Sequence, residues 1–294
     1  MKQENLNNLI EKAIEIEELT AKKAGALGFM GRALVLATMP HKKPGTNEFV
    51  RKNGHFTLTM LAPSTIGLPY GNIPRLLMAW VTTEAVRTKE RELILGKTLR
   101  QFMQQVGLIE IGSSMSGGER GNITSLKNQM RRLFASSISC QYKDDNRDSG
   151  INLQIIENYQ LWWDPKNPDQ LSLWDSSITL GQRFFEELIE NPVPIDMRVI
   201  KAIRRSPLAL DMYCWLTYRT SYLRDRTDIP WPVLQIQFGA NYACTEQGTR
   251  DFKRAFLREL KKIFLFYPDV KIHYNDKSLN LLPGKTHISM KKCI

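Results

Sequence analysis

The apolar positions of the chain switch between helical and strand-like spacing. In residues 5–23 they recur every three or four positions, which predicts a helix. Its apolar face comprises Leu6, Leu9, Ile10, Ala13, Ile14 and Ile16. Residues 25–54 are rich in Gly, Pro and Lys, which predicts turns and short strands. The run "HFTLTMLAP", residues 55–63, then has strand-like spacing.

Three predicted helices and a set of strands follow in order. Pro74 opens the first helix, and "ELILG" is a short strand or bend. Thr98 and Gln101 form a capping box that begins the second helix, which Gly107 can end. The third helix covers residues 122–136, where apolar positions follow a 3.6-residue period. Strand-like runs come next, namely "SISCQY", "NLQIIENYQLWW" and "LSLWDSSITLG".

The same order of elements recurs in the second half of the chain. Residues 196–223 are predicted to be helical with a break at Pro207, and "WPVLQIQFG" at 231–239 is a short helix that ends in Gly. Residues 249–266 form a third helix, which Pro268 stops. The segments "VKIHYND" and "SLNLLPGKTHISM" predict a terminal hairpin.

Three helices followed by a hairpin is the order of a winged helix. The sequence therefore predicts an α+β fold with two tandem winged-helix domains and an N-terminal helical arm. The expected divisions are residues 1–50 for the N-terminal helix and a basic Gly/Pro-rich segment, 51–181 for the first winged-helix domain, and 182–294 for the second.

The composition is that of a folded protein with an excess of positive charge. Hydrophobic residues make up 42% and charged residues 24% of the sequence, as in ordinary folded proteins. Its length of 294 residues leaves room for two domains. Lys and Arg number 41 against 30 Asp and Glu, so the formal net charge is +11. A polyanion attracts such a protein through counterion release. Double-stranded DNA is therefore the favoured partner, and a merely basic soluble protein is the alternative.

One stretch, "TRDFKRAFLRELKKIF" at residues 249–264, holds six basic and two acidic side chains. At 100° per residue the basic side chains share one helix face, and Phe252, Phe256, Leu260 and Ile263 lie on the other. A cationic face backed by a core face fits the major groove of DNA, which admits one α-helix. The predicted DNA-binding residues are Thr249, also a suitable N-cap, with Arg250, Lys253, Arg254, Arg258, Lys261 and Lys262. We expect Lys261 and Lys262 to lie toward phosphates. A solvated amphipathic helix is the alternative.

The corresponding helix of the first unit, residues 122–136, carries hydrogen-bonding side chains with fewer charges. The candidate DNA-binding residues here are Thr124, Ser125, Lys127, Asn128 and Arg131. They could contact bases or phosphates, and a solvated helix face is an equal alternative.

The motifs that would indicate catalysis are absent from the sequence. Each of the two GKT tripeptides, at 96–98 and 284–286, lacks the first glycine of a phosphate-binding P-loop. The four histidines form no HxH, HExxH or HxxR pattern, which disfavours a metal-dependent nickase and a tyrosine recombinase. We therefore expect no catalytic residues, no metal and no cofactor, although distant residues can converge on a site.

Cysteine usage and hydropathy bear on the compartment. Cys140, Cys214, Cys244 and Cys293 form no CxxC pair, which disfavours a zinc site and fits the cytoplasm best. The N-terminal helix is amphipathic and acidic, and no apolar run is as long as a bilayer span. We expect no contact with a membrane.

Several separated blocks resemble the plasmid-encoded RepA replication initiator family. They are "NGHFTLTMLAPSTIGLPYGNIPRLLMAWVTTEAV" (53–86), "FFEELIENPVPIDMRVI" (184–200), "SPLALDMYCWLTYR" (206–219) and "WPVLQIQFG" (231–239). More widely, the family is similar to iteron-binding initiators built from two winged-helix domains. The likeness extends from about Gly25 to the end of the second unit, and residues 1–24 fall outside it.

The resemblance implies a function that the residues alone do not. It implies binding to direct repeats, called iterons, at a plasmid origin, opening of adjacent A+T-rich duplex, and recruitment of host replication proteins such as a helicase or initiator. It also implies that monomers initiate and that homodimers can repress or pair origins, which bears on plasmid copy control. A DNA-binding transcriptional regulator that never opens an origin is the main alternative, and an enzyme with a dispersed site is another.

Overall fold

The computed structural model describes residues 3–288, so Cys293 lies outside the described residues. The helices are α1 (Gln3–Glu18), α2 (Arg32–Leu36), α3 (Ile73–Thr88), α4 (Leu99–Gln105), α5 (Asn122–Phe134), α6 (Gln182–Glu190), α7 (Met197–Ala202), α8 (Pro207–Tyr222), α9 (Trp231–Phe238) and α10 (Glu246–Phe266). The strands are β1 (Leu27–Gly31), β2 (Glu48–Asn53), β3 (Phe56–Leu61), β4 (Glu92–Gly96), β5 (Ser137–Lys143), β6 (Asp148–Gln154), β7 (Ile156–Gln160), β8 (Ser176–Leu180), β9 (Pro192–Asp196), β10 (Thr227–Pro230), β11 (Ile272–Tyr274) and β12 (Ser278–Leu281).

The first three-helix unit consists of α3, α4 and α5, followed by the β5–β6 hairpin. This hairpin belongs to a four-stranded sheet of order β2-β3-β5-β6, and a second sheet has the order β4-β8-β7. The run "NLQIIENYQLWW" was expected to be one strand, and this expectation is wrong. The structure divides it at the fully buried Ile155, because β6 and β7 belong to different sheets.

Local sequence chemistry sets the ends of the helices in this unit. Pro74 lies in the first turn of α3, where its missing N–H has no helical partner to lose. The Thr98 hydroxyl oxygen accepts a hydrogen bond from the Gln101 backbone N–H at 3.2 Å, which confirms Thr98 as the N-cap of α4. Gly107 follows α4 with a φ of +81°, a conformation that favours glycine.

The second unit repeats the order with α8, α9, α10 and the β11–β12 hairpin. The predicted break at Pro207 is confirmed, because α8 begins there and the Ser206 hydroxyl oxygen caps it by accepting from the Ala209 N–H at 3.2 Å. Strand β10 joins the hairpin in a sheet of order β10-β12-β11. The hairpin after α10 occupies the position of the wing.

The segment before the first unit pairs with the second half of the chain. Strand β1 pairs antiparallel with β9, with Leu27 opposite Asp196. Residues 25–54, expected to hold only turns and short strands, also form the helix α2, because Leu34 and Val35 are buried there. The N-terminal helix ends at Glu18, earlier than the expected residue 23. The domain boundaries at 50/51 and 181/182 stay predictions.

A buried ionic cluster connects α3 of the first unit to α8 of the second. Arg75 donates from Nε and Nη2 to the two carboxylate oxygens of Asp211 at 2.7 and 2.8 Å. The His41 ring Nε2 lies 2.7 Å from Asp211 Oδ2. Arg75 also donates to the carbonyls of Met39 and Gly71, at 2.6 Å each. Because the side chains of Arg75 and Asp211 are only 2% and 8% exposed, each charge depends on the other.

Candidate nucleic-acid interface

At the start of α10 the chain that follows α9 packs closely against the first helical turn, which requires a glycine. Its N-cap is Thr245, whose hydroxyl oxygen accepts from the Gly248 backbone N–H at 3.1 Å. A Cβ atom at Gly248 would lie 1.9 Å from the Ala243 carbonyl oxygen, so only glycine fits without a shift of the backbone. The expectation that Thr249 caps the helix is wrong. Thr249 lies one turn inside, where its hydroxyl donates to Gln235 Oε1 at 2.6 Å and ties α10 to α9.

The inner face of α10 is fixed by aromatic packing. Phe252, Phe256, Leu260 and Ile263 are each at most 1% exposed, which confirms the predicted core face. The Phe256 ring lies 5.8 Å from Trp231 and 5.9 Å from Phe238, both in α9. Burial of side chains this large contributes several kcal/mol in total. The helix is therefore held firmly against α9, and its opposite face is directed toward solvent.

Three arginines on the outer face of α10 are largely exposed. The side chains of Arg250, Arg254 and Arg258 are 68%, 79% and 68% exposed. Arg250 pairs with Glu246 at 3.2 Å and Arg254 with Asp251 at 3.7 Å. Such exposed pairs contribute little, so Arg250 and Arg254 can exchange them for phosphate or base contacts at low cost. Lys261 is also exposed.

The remaining predicted cations of α10, Lys253 and Lys262, are less exposed than the arginines, at 22% each, and are bonded within the protein. Lys253 donates from Nζ to the Asn275 carbonyl and to Asp276 Oδ1, at 3.0 Å each, and its ammonium lies 5.3 Å from the Trp231 ring centre. It therefore fixes the tip of the β11–β12 wing beside the helix. Lys262 bonds to Glu259 at 2.7 Å.

The buried Glu259 is ionised because of its cationic neighbours. Its side chain is 4% exposed, and burial by itself raises the pKa of a carboxyl. Hydrogen bonds from Lys262 and from Arg258 (3.0 Å) outweigh this effect and lower the pKa of Glu259 below its ordinary value. Arg258 and Lys262 are thus oriented along the helix by one buried carboxylate.

The predicted DNA-binding residues on α5 differ in whether their side chains bond within the protein. Thr124 donates its hydroxyl to the Gly117 carbonyl at 2.8 Å, which fastens the preceding loop to the helix. Ser125 is partly exposed, and Lys127, Asn128 and Arg131 are exposed. Within residues 3–288 the side chains of these last three residues bond to no other group. The structure therefore leaves one short polar face on α5 open to a ligand.

Sequence reasoning missed the cations of the wing, and it missed Lys12 and Lys201 in a groove beside α10. Lys271 and Lys277 are exposed on the β11–β12 hairpin, and Lys277 follows the Asn275 turn that Lys253 holds. A groove of about 440 Å³ near the end of α10 is lined by Lys12, Glu110, Lys201, Arg204, Arg205 and Lys262, among others. The "NDKS" turn was the available signal for the wing.

Across residues 3–288, no three or more His, Cys, Asp or Glu side chains are grouped so that they could hold a metal ion. None of the helices described is both long enough and apolar enough to cross a membrane.

Comparison with solved structures identifies the same architecture elsewhere. A crystal structure of selenomethionine derivatives of domains 2 and 3 of RctB matches with a TM-score of 0.50 and 11% identity, over 87% of this chain and 99% of that one. A second crystal structure of RctB domains 2–3 matches with a TM-score of 0.51 and 12% identity, over 86% of this chain and 97% of that one. At this identity the likeness concerns the fold, and it confirms the tandem winged-helix prediction.

Sequence comparison gives the family. No curated protein matches the chain as a relative. The model of the family described as plasmid encoded RepA protein matches residues 68–232, which is more than half of the chain and includes the first unit, α8 and the start of α9. The protein therefore belongs to the plasmid-encoded RepA family of replication initiators.

Proposed function

We propose that this protein initiates plasmid replication by binding direct repeats at the origin, opening the adjacent A+T-rich duplex and recruiting host replication proteins. Family membership supports a role in replication. The observation that carries the DNA-binding part of the proposal is the outer face of α10. There, three largely exposed arginines lie on a helix whose other face is locked into an aromatic core.

The spacing of these arginines fits the proposed role. Arg250 and Arg258 are eight residues apart, which at 1.5 Å per residue is about 12 Å along the helix axis. The major groove of B-DNA is about 12 Å wide, so a helix carrying this row can meet base edges and the phosphates that border them. The wing lysines Lys271 and Lys277 would contact the backbone beside the groove. Lys127, Asn128 and Arg131 of α5 would engage a neighbouring part of the same repeat.

The remaining parts of the proposal concern the setting of this activity. The protein would act in the cytoplasm, with double-stranded origin DNA as its main partner and with a host helicase or initiator as protein partners. Monomers would initiate, and homodimers would repress or pair origins. It would work without a catalytic residue, metal or cofactor of its own.

Footprinting and thymine oxidation on supercoiled origin DNA test the proposal. We expect protection over direct repeats and permanganate-reactive thymines in the neighbouring A+T-rich region. Protection without reactive thymines would favour the alternative, a transcriptional regulator. The same DNA incubated with the protein and Mg²⁺ should stay free of nicks, and nicking would contradict a non-catalytic role.

Salt dependence separates phosphate contacts from base contacts. Lys261 is exposed, whereas Lys262 is engaged with Glu259, so Lys261 is the better position for a charge reversal. Lys261→Glu should weaken binding to all DNA sequences and flatten the dependence of log K on log salt. An unchanged slope would show that Lys261 does not contact DNA.

A further inference from the structure

A second surface of the protein has the opposite character to α10. On the solvent face of the β4-β8-β7 sheet, Ile94 lies opposite Ser177, which lies opposite Gln160. Trp162 and Trp174 lie beyond the ends of β7 and β8, with ring centres 5.3 Å apart. These residues line a shallow groove of about 450 Å³. We call Ile94, Trp162, Trp174 and the adjacent Leu173 the tryptophan patch.

The side chains of the tryptophan patch lie largely outside the core. Trp163 points inward, where its indole N–H donates to the Gly96 carbonyl at 3.1 Å and its ring lies 4.9 Å from Phe102. Its neighbour Trp162 is 48% exposed, Trp174 62% and Leu173 86%. One tryptophan of the "WW" pair thus serves the fold, and the other is left on the surface. Contiguous exposed apolar groups of this kind mark interaction sites.

The segment that carries the patch is held in place. The Ser172 backbone N–H donates to the Lys97 carbonyl at 3.1 Å, and the Arg100 N–H donates to the Pro168 carbonyl at 3.1 Å. The Trp162 N–H donates to the Ser176 hydroxyl oxygen at 2.9 Å. The tryptophans are therefore presented by an ordered loop, so a partner would lose little entropy in fixing them.

The charges around the groove are unusual for a protein of net charge +11. The two charged residues that line it, Glu92 and Asp175, are both acidic. Arg91 and Arg100 are less free than the arginines of α10, because their side chains are only 32% and 30% exposed and pair with Glu157 and Asp169. Single-stranded nucleic acid also stacks on exposed aromatic rings, but it needs cations beside them. The residues that line this groove offer carboxylates instead, which repel phosphate, and the exposed Lys97 lies outside this lining.

We propose that the tryptophan patch is the docking site for a host replication protein, which binds it through a segment that places Lys or Arg beside apolar side chains. Charge complementarity with Glu92 and Asp175 selects a basic segment, and the paired indoles and Leu173 supply the apolar contact. The identity of the partner as a replication protein rests on the proposed function, whereas the chemistry of the segment rests on the patch alone.

The test uses purified host replicative helicase and purified host initiator as probes, each immobilised in a separate binding assay. The full-length protein is compared with Trp174→Ala, with the charge-reversed pair Glu92→Lys and Asp175→Lys, and with Tyr222→Ala. Tyr222 is a matched control, because it is an exposed aromatic residue (42%) at the end of α8. Circular dichroism verifies that each variant is folded, and its affinity for origin DNA is measured separately.

We expect both patch variants to bind at least one probe about tenfold more weakly or worse, while Tyr222→Ala and all affinities for DNA stay unchanged. Failure of both probes to bind the parent protein, or equal binding by parent and patch variants, would overturn the proposal. So would a loss of DNA affinity in the Trp174→Ala variant, which would identify a nucleic-acid surface. A change confined to self-association in sedimentation would show instead an interface between two copies. Intact footprints with failed docking would leave the proposed origin binding standing.

Discussion

Asp211→Ala should destabilise the fold by breaking the buried ionic cluster between α3 and α8. The carboxylate of Asp211, on α8, accepts two hydrogen bonds from Arg75 on α3 and lies 2.7 Å from the ring nitrogen of His41. It also supports Arg51: burial lowers the pKa of that guanidinium to about 10, and the charge of Asp211 opposes this effect. Removing the carboxylate therefore leaves two buried cationic groups without their counterion.

The magnitude follows from the burial of Arg75. With its side chain 2% exposed, water cannot replace the lost carboxylate, although the carbonyls of Met39, Pro40 and Gly71 still accept from its terminal nitrogens. Breaking a buried pair by removing one partner costs about 3–5 kcal/mol. Whole domains are stable by only about 5–15 kcal/mol, so Asp211→Ala should remove a large part of the free energy of unfolding.

Urea unfolding followed by far-UV circular dichroism measures this cost as a shift of the midpoint at constant slope. Asp148→Ala is the matched control, since Asp148 pairs with Lys143 at 3.5 Å on the surface, with side chains 55% and 69% exposed. Its midpoint should stay close to that of the parent. A midpoint for Asp211→Ala no lower than that of the control would refute the idea that this cluster holds α3 and α8 together.

Three further predictions concern the start of α10 and the response to acid. Thr245→Ala removes the N-cap of α10 and should lower the free energy of unfolding by about 1 kcal/mol in urea titrations; no change would show that the cap is dispensable. Gly248→Ala should destabilise by about 1–3 kcal/mol, because the new Cβ would meet the Ala243 carbonyl oxygen, and a thermal melt equal to the parent's would contradict this. Burial lowers the pKa of His41 in the folded state, so the unfolded chain takes up the proton first and stability falls as pH drops below about 6.5. His41→Gln should therefore reduce the loss of melting temperature between about pH 7 and 5. Part of that loss should remain, because burial also lowers the pKa of His287. An unchanged profile would show that His41 does not contribute to the acid sensitivity.

Elements fixed by neighbouring residues could be predicted from the sequence. The capping hydroxyl of Thr98, the break before Pro207 and the core face of α10 all depend on side chains within one or two turns of each other. The repeated order of three helices and a hairpin follows from the same local periodicity. For this reason the tandem winged-helix fold could be predicted from the sequence alone.

Features that join distant parts of the chain could not be predicted in this way. Nothing near Leu27 indicates that its strand pairs with residues 192–196. His41 lies in the cationic-looking segment "HKKPG", yet its ring is buried against Asp211, 170 positions away. Thr249 was expected to cap α10, but the helix begins one turn earlier, at Thr245, where the chain after α9 packs closely against Gly248.

The candidate DNA-binding residues also divide into features set by neighbouring residues and features that depend on distant contacts. The periodicity of residues 249–264 placed Arg250, Arg254 and Arg258 on one exposed face, as the structure has them. It could not show that Lys253 reaches the wing at Asn275, since that contact spans 22 positions and depends on the hairpin. Whether these residues contact DNA stays a prediction.

The affinity of Arg254→Ala and Arg258→Ala for origin repeats is the most direct measurement of the role of α10. Each substitution should weaken specific binding by at least ~1 kcal/mol at moderate salt, about fivefold in Kd, and should reduce discrimination against unrelated duplex. Arg87→Ala serves as the control, because Arg87 is equally exposed (69%) but lies at the end of α3. If both α10 variants bind the repeats as tightly as Arg87→Ala does, this helix does not enter the groove.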